Sequence, residues 1–222
     1  MNPNHFMNIL IIRRRIVELC IELSRRGHLA GTGGNIALRI DADRFAVTPS
    51  ATDYLTMSAE DVCVLRLSDL SVLEGRRTPS VESGLHARVL QARPDVICSI
   101  HTHQPVASAC ALIGRELAVP PGRLRESLGA RVPVVGYAPS GTWWLSSRLS
   151  RALRPDSHAY LMLNHGVLCC GPTVDDAVQA VEDLESLCST HLKHLIETRA
   201  AREPGASAAL RQVTRLLPAT RI

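Results

Sequence analysis

The chain has 222 residues, of which 45% are apolar, 21% charged and only 3% aromatic. That balance is ordinary for a soluble globular protein, and the length suits one domain with a core of Leu, Val, Ile and Ala. The net charge of +4 is modest and the arginines are scattered, so neither a nucleic-acid surface nor a nucleic-acid partner is indicated.

Residues 8–26 place Ile9, Ile12, Ile16, Leu19, Cys20 and Leu23 at helical spacing. The run Arg13-Arg14-Arg15 interrupts this segment, which excludes both a bilayer span and a signal-peptide core. "GHLAGTGGN" (27–35) is a glycine-rich break that does not follow the dinucleotide-binding pattern. "IALRI", "RFAVTPS" and "VCVLRL" read as short strands. Ser80 stands before a helical stretch that Pro94 ends. "VICSIHTH" alternates as a strand, and "VPVVGYA" and "AYLMLNHGVLCCG" read as two more. Thr173 then caps a long amphipathic helix with a stripe of Ala177, Val181, Leu184, Leu187, Cys188, Leu192 and Leu195. From about residue 203 the chain is small and polar, and reads as a mobile tail. Helices and strands mix along the whole chain without an internal linker, which predicts one α/β domain over 1–222. Seven cysteines without a CxxC pair read as buried free thiols in a reducing compartment, with cytoplasm as the default location and no membrane partner.

The chemistry concentrates at histidines. His101 and His103 alternate on one strand and so share a face. Two imidazoles at that spacing can chelate an ion, or can be hydrogen-bonded histidines at a strand end. His165 adds a third imidazole within another apolar run, read as a strand, and Gly166 beside it suggests close approach or an unusual backbone angle. Three imidazoles with a fourth position left open suit catalytic Zn²⁺, while Mn²⁺, Co²⁺ or Fe²⁺ also fit such a set. Among the acidic residues Glu82 is best placed, because its helix leads directly into the histidine strand. His86 lies one turn on, on the same face, where it either orients Glu82 or is a half-buried helix histidine.

Four blocks, "GTGGNIALR" (31–39), "TPSATDY" (48–54), "PSVESGLHARVLQARPDVICSIHTH" (79–103) and "LNHGVLCCG" (163–171), resemble the class II aldolase/adducin family of zinc lyases over roughly residues 8–198. The resemblance implies a single three-layer α/β/α domain with a central, mostly antiparallel sheet. It implies His101, His103 and His165 as zinc ligands, and Glu82 as a resting ligand that becomes the acid/base. It implies a homotetramer with sites near subunit interfaces, and a small-molecule substrate. The family's phosphate pocket maps onto Thr32, Gly33, Gly34, Asn35, Ser50, Ala51, Ser80 and Val81. Here the chain departs from the pattern: Val81 replaces a serine, Ala51 a glycine and Ala37 a serine. Losing one charge-assisted hydrogen bond costs about 1.5–3 kcal/mol, so phosphate affinity is expected to be weakened. Where sugar-phosphate aldolases of the family carry a catalytic tyrosine, this chain has Arg123, Leu124 and Arg125; the two arginines either fork a carboxylate at the site mouth or are surface arginines on a loop.

The implied activity is an aldolase-type cleavage of a small hydroxy-carbonyl compound, a sugar phosphate among the candidates, through a metal-stabilised enediolate. The alternative is decarboxylation of a hydroxylated acid of the dihydroxyphthalate kind at the same zinc site. A non-catalytic adducin-like scaffold is the third reading, disfavoured because all three histidines and Glu82 are kept.

Overall fold

The computed structural model describes residues 3–29, 31 and 33–217. Helix α1 (Pro3–Arg25) is followed by strands β1 (Asn35–Arg39), β2 (Arg44–Val47), β3 (Cys63–Arg66) and β4 (Val72–Glu74). Helix α2 (Ser83–Ala92), strand β5 (Cys98–Thr102) and helix α3 (Pro105–Ala111) come next. The connection then runs through β6 (Leu117–Ala118), α4 (Arg123–Leu128), β7 (Arg131–Val132), β8 (Val134–Val135) and α5 (Trp143–Ala152). The hairpin β9 (Ala159–Met162) and β10 (Gly166–Gly171) leads into α6 (Val174–Arg202) and α7 (Ser207–Leu216).

Eight strands form one sheet in the order β4-β3-β2-β1-β5-β10-β9-β8, antiparallel except for the β8–β9 pair, and β6 pairs with β7 apart from it. Alternation sorts the side chains into two cores. Ile36, Leu38, Cys98, Ile100, Val167 and Cys169 face α1, α3 and α6. Ala37, Val47, Leu65, Leu168 and Cys170 face α2 and α5 through Leu85, Val89, Leu145 and Leu149. The result is the expected three-layer α/β/α arrangement with a mostly antiparallel sheet.

Four expectations change in detail. Helix α2 starts at Ser83, so Ser80 does not stand directly before it; Glu82 occupies the cap position and the Ser80 hydroxyl accepts its N–H at 3.2 Å. "VPVVGYA" is not one strand: Pro133, which has no N–H to donate, separates β7 from β8. His165 lies in the turn between β9 and β10 and not within a strand, with Asn164 in the left-handed region at φ 53°. The tail contains α7, which packs on α6. The Thr173 cap holds: its hydroxyl oxygen accepts the Asp176 N–H at 3.1 Å.

Candidate metal centre and its carboxylate

The face of β5 that looks toward α2 carries Ser99 and His101, and His103 follows just past the strand end. Register sets the neighbours: His101 lies opposite Asn35 on β1 and Leu168 on β10. Gly166 begins β10 so close to β5 that an added Cβ would stand 2.5 Å from both His103 Cδ2 and the Thr102 carbonyl oxygen. That contact, permitted only by the missing side chain, brings the hairpin turn and His165 against the histidine pair. Gly34 is equally constrained, since a Cβ there would lie 2.6 Å from the His101 carbonyl oxygen.

The three imidazoles converge. Their ring centroids are 4.7, 4.8 and 5.3 Å apart, and one ligand nitrogen from each lies within 4.8 Å of the others. His101 Nδ1 donates to the Val167 carbonyl at 2.8 Å, which leaves its Nε2 bare and aimed at His103 Nε2, 2.9 Å away. Facing lone pairs at that distance need a proton or a cation between or beside them. Burial pushes His101 down to about 4 and also lowers His103, so both favour the neutral form that binds metal. His101 is buried, His165 half-buried and His103 exposed, so the centre opens to solvent on one side. The donor set fits a divalent cation with an accessible coordination position.

Glu82 closes the cluster. Its Oε2 lies 3.2 Å from His101 Nε2 and its Oε1 lies 3.0 Å from His165 Nε2. Asn35 Nδ2 donates to Oε2 at 2.9 Å, and the Ser140 hydroxyl donates to Oε1 at 2.7 Å. Burial alone would raise this carboxyl. The His165 hydrogen bond, the charge of His101 and the two neutral donors outweigh it and hold the group well below the usual carboxylate range. His86 is fully buried behind Asn35, 2.7 Å from its Oδ1 through Nε2 and 2.8 Å from the Ser99 hydroxyl through Nδ1. Burial, and then the charge of His101, push it down to about 3.

The remaining candidates divide. Ser50 and Ser80 lie on neighbouring segments, joined by the Ser50 N–H to the Thr78 carbonyl and the Ser80 N–H to the Thr48 carbonyl. Asn35 commits its side chain to Glu82 and His86, not to an open pocket, because its register partner on the sheet is His101. Thr32 lies outside the described residues. Arg123 and Arg125 are not at the centre in this chain. Arg123 forks the buried Asp183 of α6 at 2.8 and 3.1 Å, and Arg125 donates to the Val119 carbonyl at 2.7 Å. Both contacts lie on the α6 side of the sheet, opposite the face that bears His101. Ser99 and Ser140 were not foreseen. Ser99 was findable, two residues before His101 on the same strand face; Ser140 sits in a loop with no periodic signal.

Residues 14–192 match the family described as "Class II Aldolase and Adducin N-terminal domain". The chain is similar to the L-fuculose phosphate aldolase of Haemophilus influenzae, at 26% identity over 85% of this chain and 86% of that one. It is also similar to the 5-deoxy-D-ribulose 1-phosphate aldolase of Bacillus thuringiensis, at 32% identity over 78% and 80% of the two chains. A solved structure of an L-fuculose 1-phosphate aldolase shares the fold, with a TM-score of 0.76 at 24% identity over 92% and 94%. With the family's span covering the sheet, the histidine cluster and Glu82 alike, the chain belongs to the class II aldolase/adducin family.

Proposed function

We propose that the protein is a zinc-dependent carbon–carbon lyase of aldolase type acting on a small hydroxy-carbonyl compound. The observation that carries this is the convergence of His101, His103 and His165 on Glu82. Held by the three imidazoles, a divalent cation would supply Lewis acidity at a substrate oxygen, and zinc suits an all-nitrogen set with an open position. Glu82 is the group that holds and moves the proton. Its two oxygens face the cluster, and donors on each side fix its plane. An ionised carboxylate so placed accepts a proton from a substrate hydroxyl and returns it to carbon after bond cleavage.

A phosphorylated substrate is supported by the relatives that act on fuculose phosphate and deoxyribulose 1-phosphate, and by the paired Ser50 and Ser80 segments. Val81, 64% exposed beside Glu82, offers methyl groups where a second hydroxyl would strengthen an anion pocket. Decarboxylation is less well supported, because Arg123 and Arg125 have partners away from the cluster. The same proposal includes a homotetramer with the centre near a subunit interface. Exposed Val81, Tyr137, Trp143 and Trp144 on the α2/α5 side are suited to burial by another copy. A cytoplasmic location agrees with seven buried free cysteines, and no helix among the described residues is long and apolar enough to cross a membrane.

The test is a substrate panel assayed before and after chelator treatment. L-Fuculose 1-phosphate, 5-deoxy-D-ribulose 1-phosphate and dihydroxybenzoic and phthalic acids are followed for aldehyde and for CO₂. Aldehyde release that is lost with the metal and restored by Zn²⁺ is expected. Turnover that survives complete metal removal contradicts the proposal, and CO₂ release without aldehyde replaces its reaction type.

A further inference from the structure

Glu82 is positioned by a chain of side chains that reaches across α2, β1 and β5. Asn35 Nδ2 lies 2.9 Å from Glu82 Oε2. A carboxylate accepts only, so the amide must turn its NH₂ group to Glu82 and its oxygen to His86. That oxygen is 2.7 Å from His86 Nε2, and it can only accept, so Nε2 carries the hydrogen. In a neutral ring Nδ1 is then a lone pair, and it meets the Ser99 hydroxyl at 2.8 Å, which must donate. Each hydrogen's place follows from the one before. His86, Ser99 and Asn35 are buried to 5% exposure or less, so water does not compete for these bonds.

We propose that Asn35, His86 and Ser99 are positioning residues for Glu82: the Asn35 amide holds the carboxylate toward the three histidines, the His86 Nε2–H fixes the rotation of that amide, and the Ser99 hydroxyl, donating to Nδ1, holds the His86 ring in place. The chain explains why a fully buried imidazole sits four residues after Glu82 on α2 without joining the metal cluster. It also separates the two kinds of histidine by tautomer. His101 carries its hydrogen on Nδ1, bonded to the Val167 carbonyl, whereas His86 carries it on Nε2. What Glu82 does for turnover rests on the lyase reading; the order of hydrogens does not.

The experiment uses the full chain labelled with ring-¹⁵N histidine. Two-bond ¹⁵N–¹H correlation spectra are recorded on the metal-free and the Zn²⁺-loaded wild type, on Ser99→Ala, and on His86→Leu and His86→Gln. Zn²⁺ affinity is measured in parallel by competition with a chromophoric chelator. In the wild type His86 is expected as a neutral ring protonated at Nε2, with or without zinc. Ser99→Ala should leave His86 protonated at Nε2, which the Asn35 oxygen still requires, and should move its Nδ1 resonance toward that of a lone pair without a donor while the signals of distant histidines stay in place; an unmoved Nδ1 resonance overturns the relay. His86→Leu should weaken Zn²⁺ about 10–100-fold, the usual range for loss of a group that orients a ligand. His86→Gln keeps an N–H for the Asn35 oxygen and should stay within about threefold of wild type. A wild-type His86 protonated at Nδ1, or on both nitrogens, overturns the proposal. So does equal Zn²⁺ affinity in wild type, His86→Leu and His86→Gln. If the wild type binds no Zn²⁺ at all, the lyase reading fails instead, and the spectra of wild type and Ser99→Ala still decide the relay. Should His86→Leu not fold, Ser99→Ala, which removes a single oxygen, carries the test alone.

Discussion

Replacing Gly166 with alanine should dismantle the metal centre while leaving every proposed ligand in the chain. The added Cβ would stand 2.5 Å from His103 Cδ2, 2.5 Å from the Thr102 carbonyl oxygen and 3.2 Å from His101 Cε1. Ordinary carbon–carbon and carbon–oxygen contacts begin at about 3.3–3.5 Å. The start of β10 must therefore move away from β5 by about 1 Å, or His103 must swing aside; the Thr102 oxygen belongs to a paired strand and cannot rotate away. Metal–nitrogen bonds tolerate displacements of only about 0.2 Å. A 1 Å shift of His165, the residue before the substitution, or of His103 takes one nitrogen out of coordination. Zn²⁺ affinity should fall about 100-fold or more, since a lost direct ligand exceeds the 10–100-fold typical of an orienting group. Overpacking should also cost about 1–3 kcal/mol. At roughly 2–4 °C per kcal/mol for a chain of this size, Tm should drop by several degrees. Calorimetric titration of metal-free protein with Zn²⁺ and a thermal scan measure both, with Gly205→Ala as control because a Cβ there meets nothing within 4 Å. Gly166→Ala protein that binds Zn²⁺ like wild type, with an unchanged Tm, would refute the argument from close approach.

Three further outcomes follow from individual side chains. Ala51 holds φ 48°, a left-handed conformation that costs a non-glycine residue about 1–2 kcal/mol. After the entropy lost on ordering glycine, Ala51→Gly should be stabilising by about 0.5–1 kcal/mol in urea denaturation. His86 is held down to about 3 in the folded chain, against an ordinary value near 6.5, so between those values the unfolded chain binds a proton that the folded one does not. Its contribution is complete above about pH 6.5 and is lost as pH falls toward 3. The stability difference between metal-free wild type and His86→Gln should therefore shrink on acidification by up to about 1.4 kcal/mol per pH unit, and a difference that stays constant from pH 7 to 4.5 would speak against a buried neutral ring. Arg123→Ala removes the guanidinium fork from the buried carboxylate of Asp183, which keeps the Ser127 hydroxyl at 2.6 Å. It should cost about 1–3 kcal/mol of stability with KM unchanged; a large rise in KM would return Arg123 to the substrate site.

The parts of the fold and site governed by short-range periodicity were legible. Strand alternation in "CSIHTH" placed His101 and His103 together, and the same rule reaches back to Ser99. Helical spacing put Glu82 and His86 on one side of α2, where both meet Asn35. What failed was what periodicity does not encode. Apolar residues on both sides of "NHG" made the hairpin look continuous, yet Asn164 at φ 53° and the tight Gly166 approach are what turn His165 inward. Arg123 and Arg125 looked available because neither a backbone carbonyl nor a distant carboxylate shows as a partner in the sequence; Arg125 bonds the Val119 carbonyl. The partner of Arg123, Asp183, lies 60 residues later and is brought near only by the packing of α4 on α6. Asn35 looked like a substrate contact until the β1–β5 register set it opposite His101. The tail from about 203 looked small and polar, yet residues 207–216 form a helix that packs on α6.

The central claim is that His101, His103 and His165 hold one divalent cation beside Glu82. Anomalous diffraction at the zinc edge from crystals of the zinc-loaded chain tests it most directly. The account predicts one peak per chain, about 2.0–2.1 Å from Nε2 of each of the three histidines. A peak bound to other residues, or a cluster that stays empty in zinc-saturated protein, would contradict it.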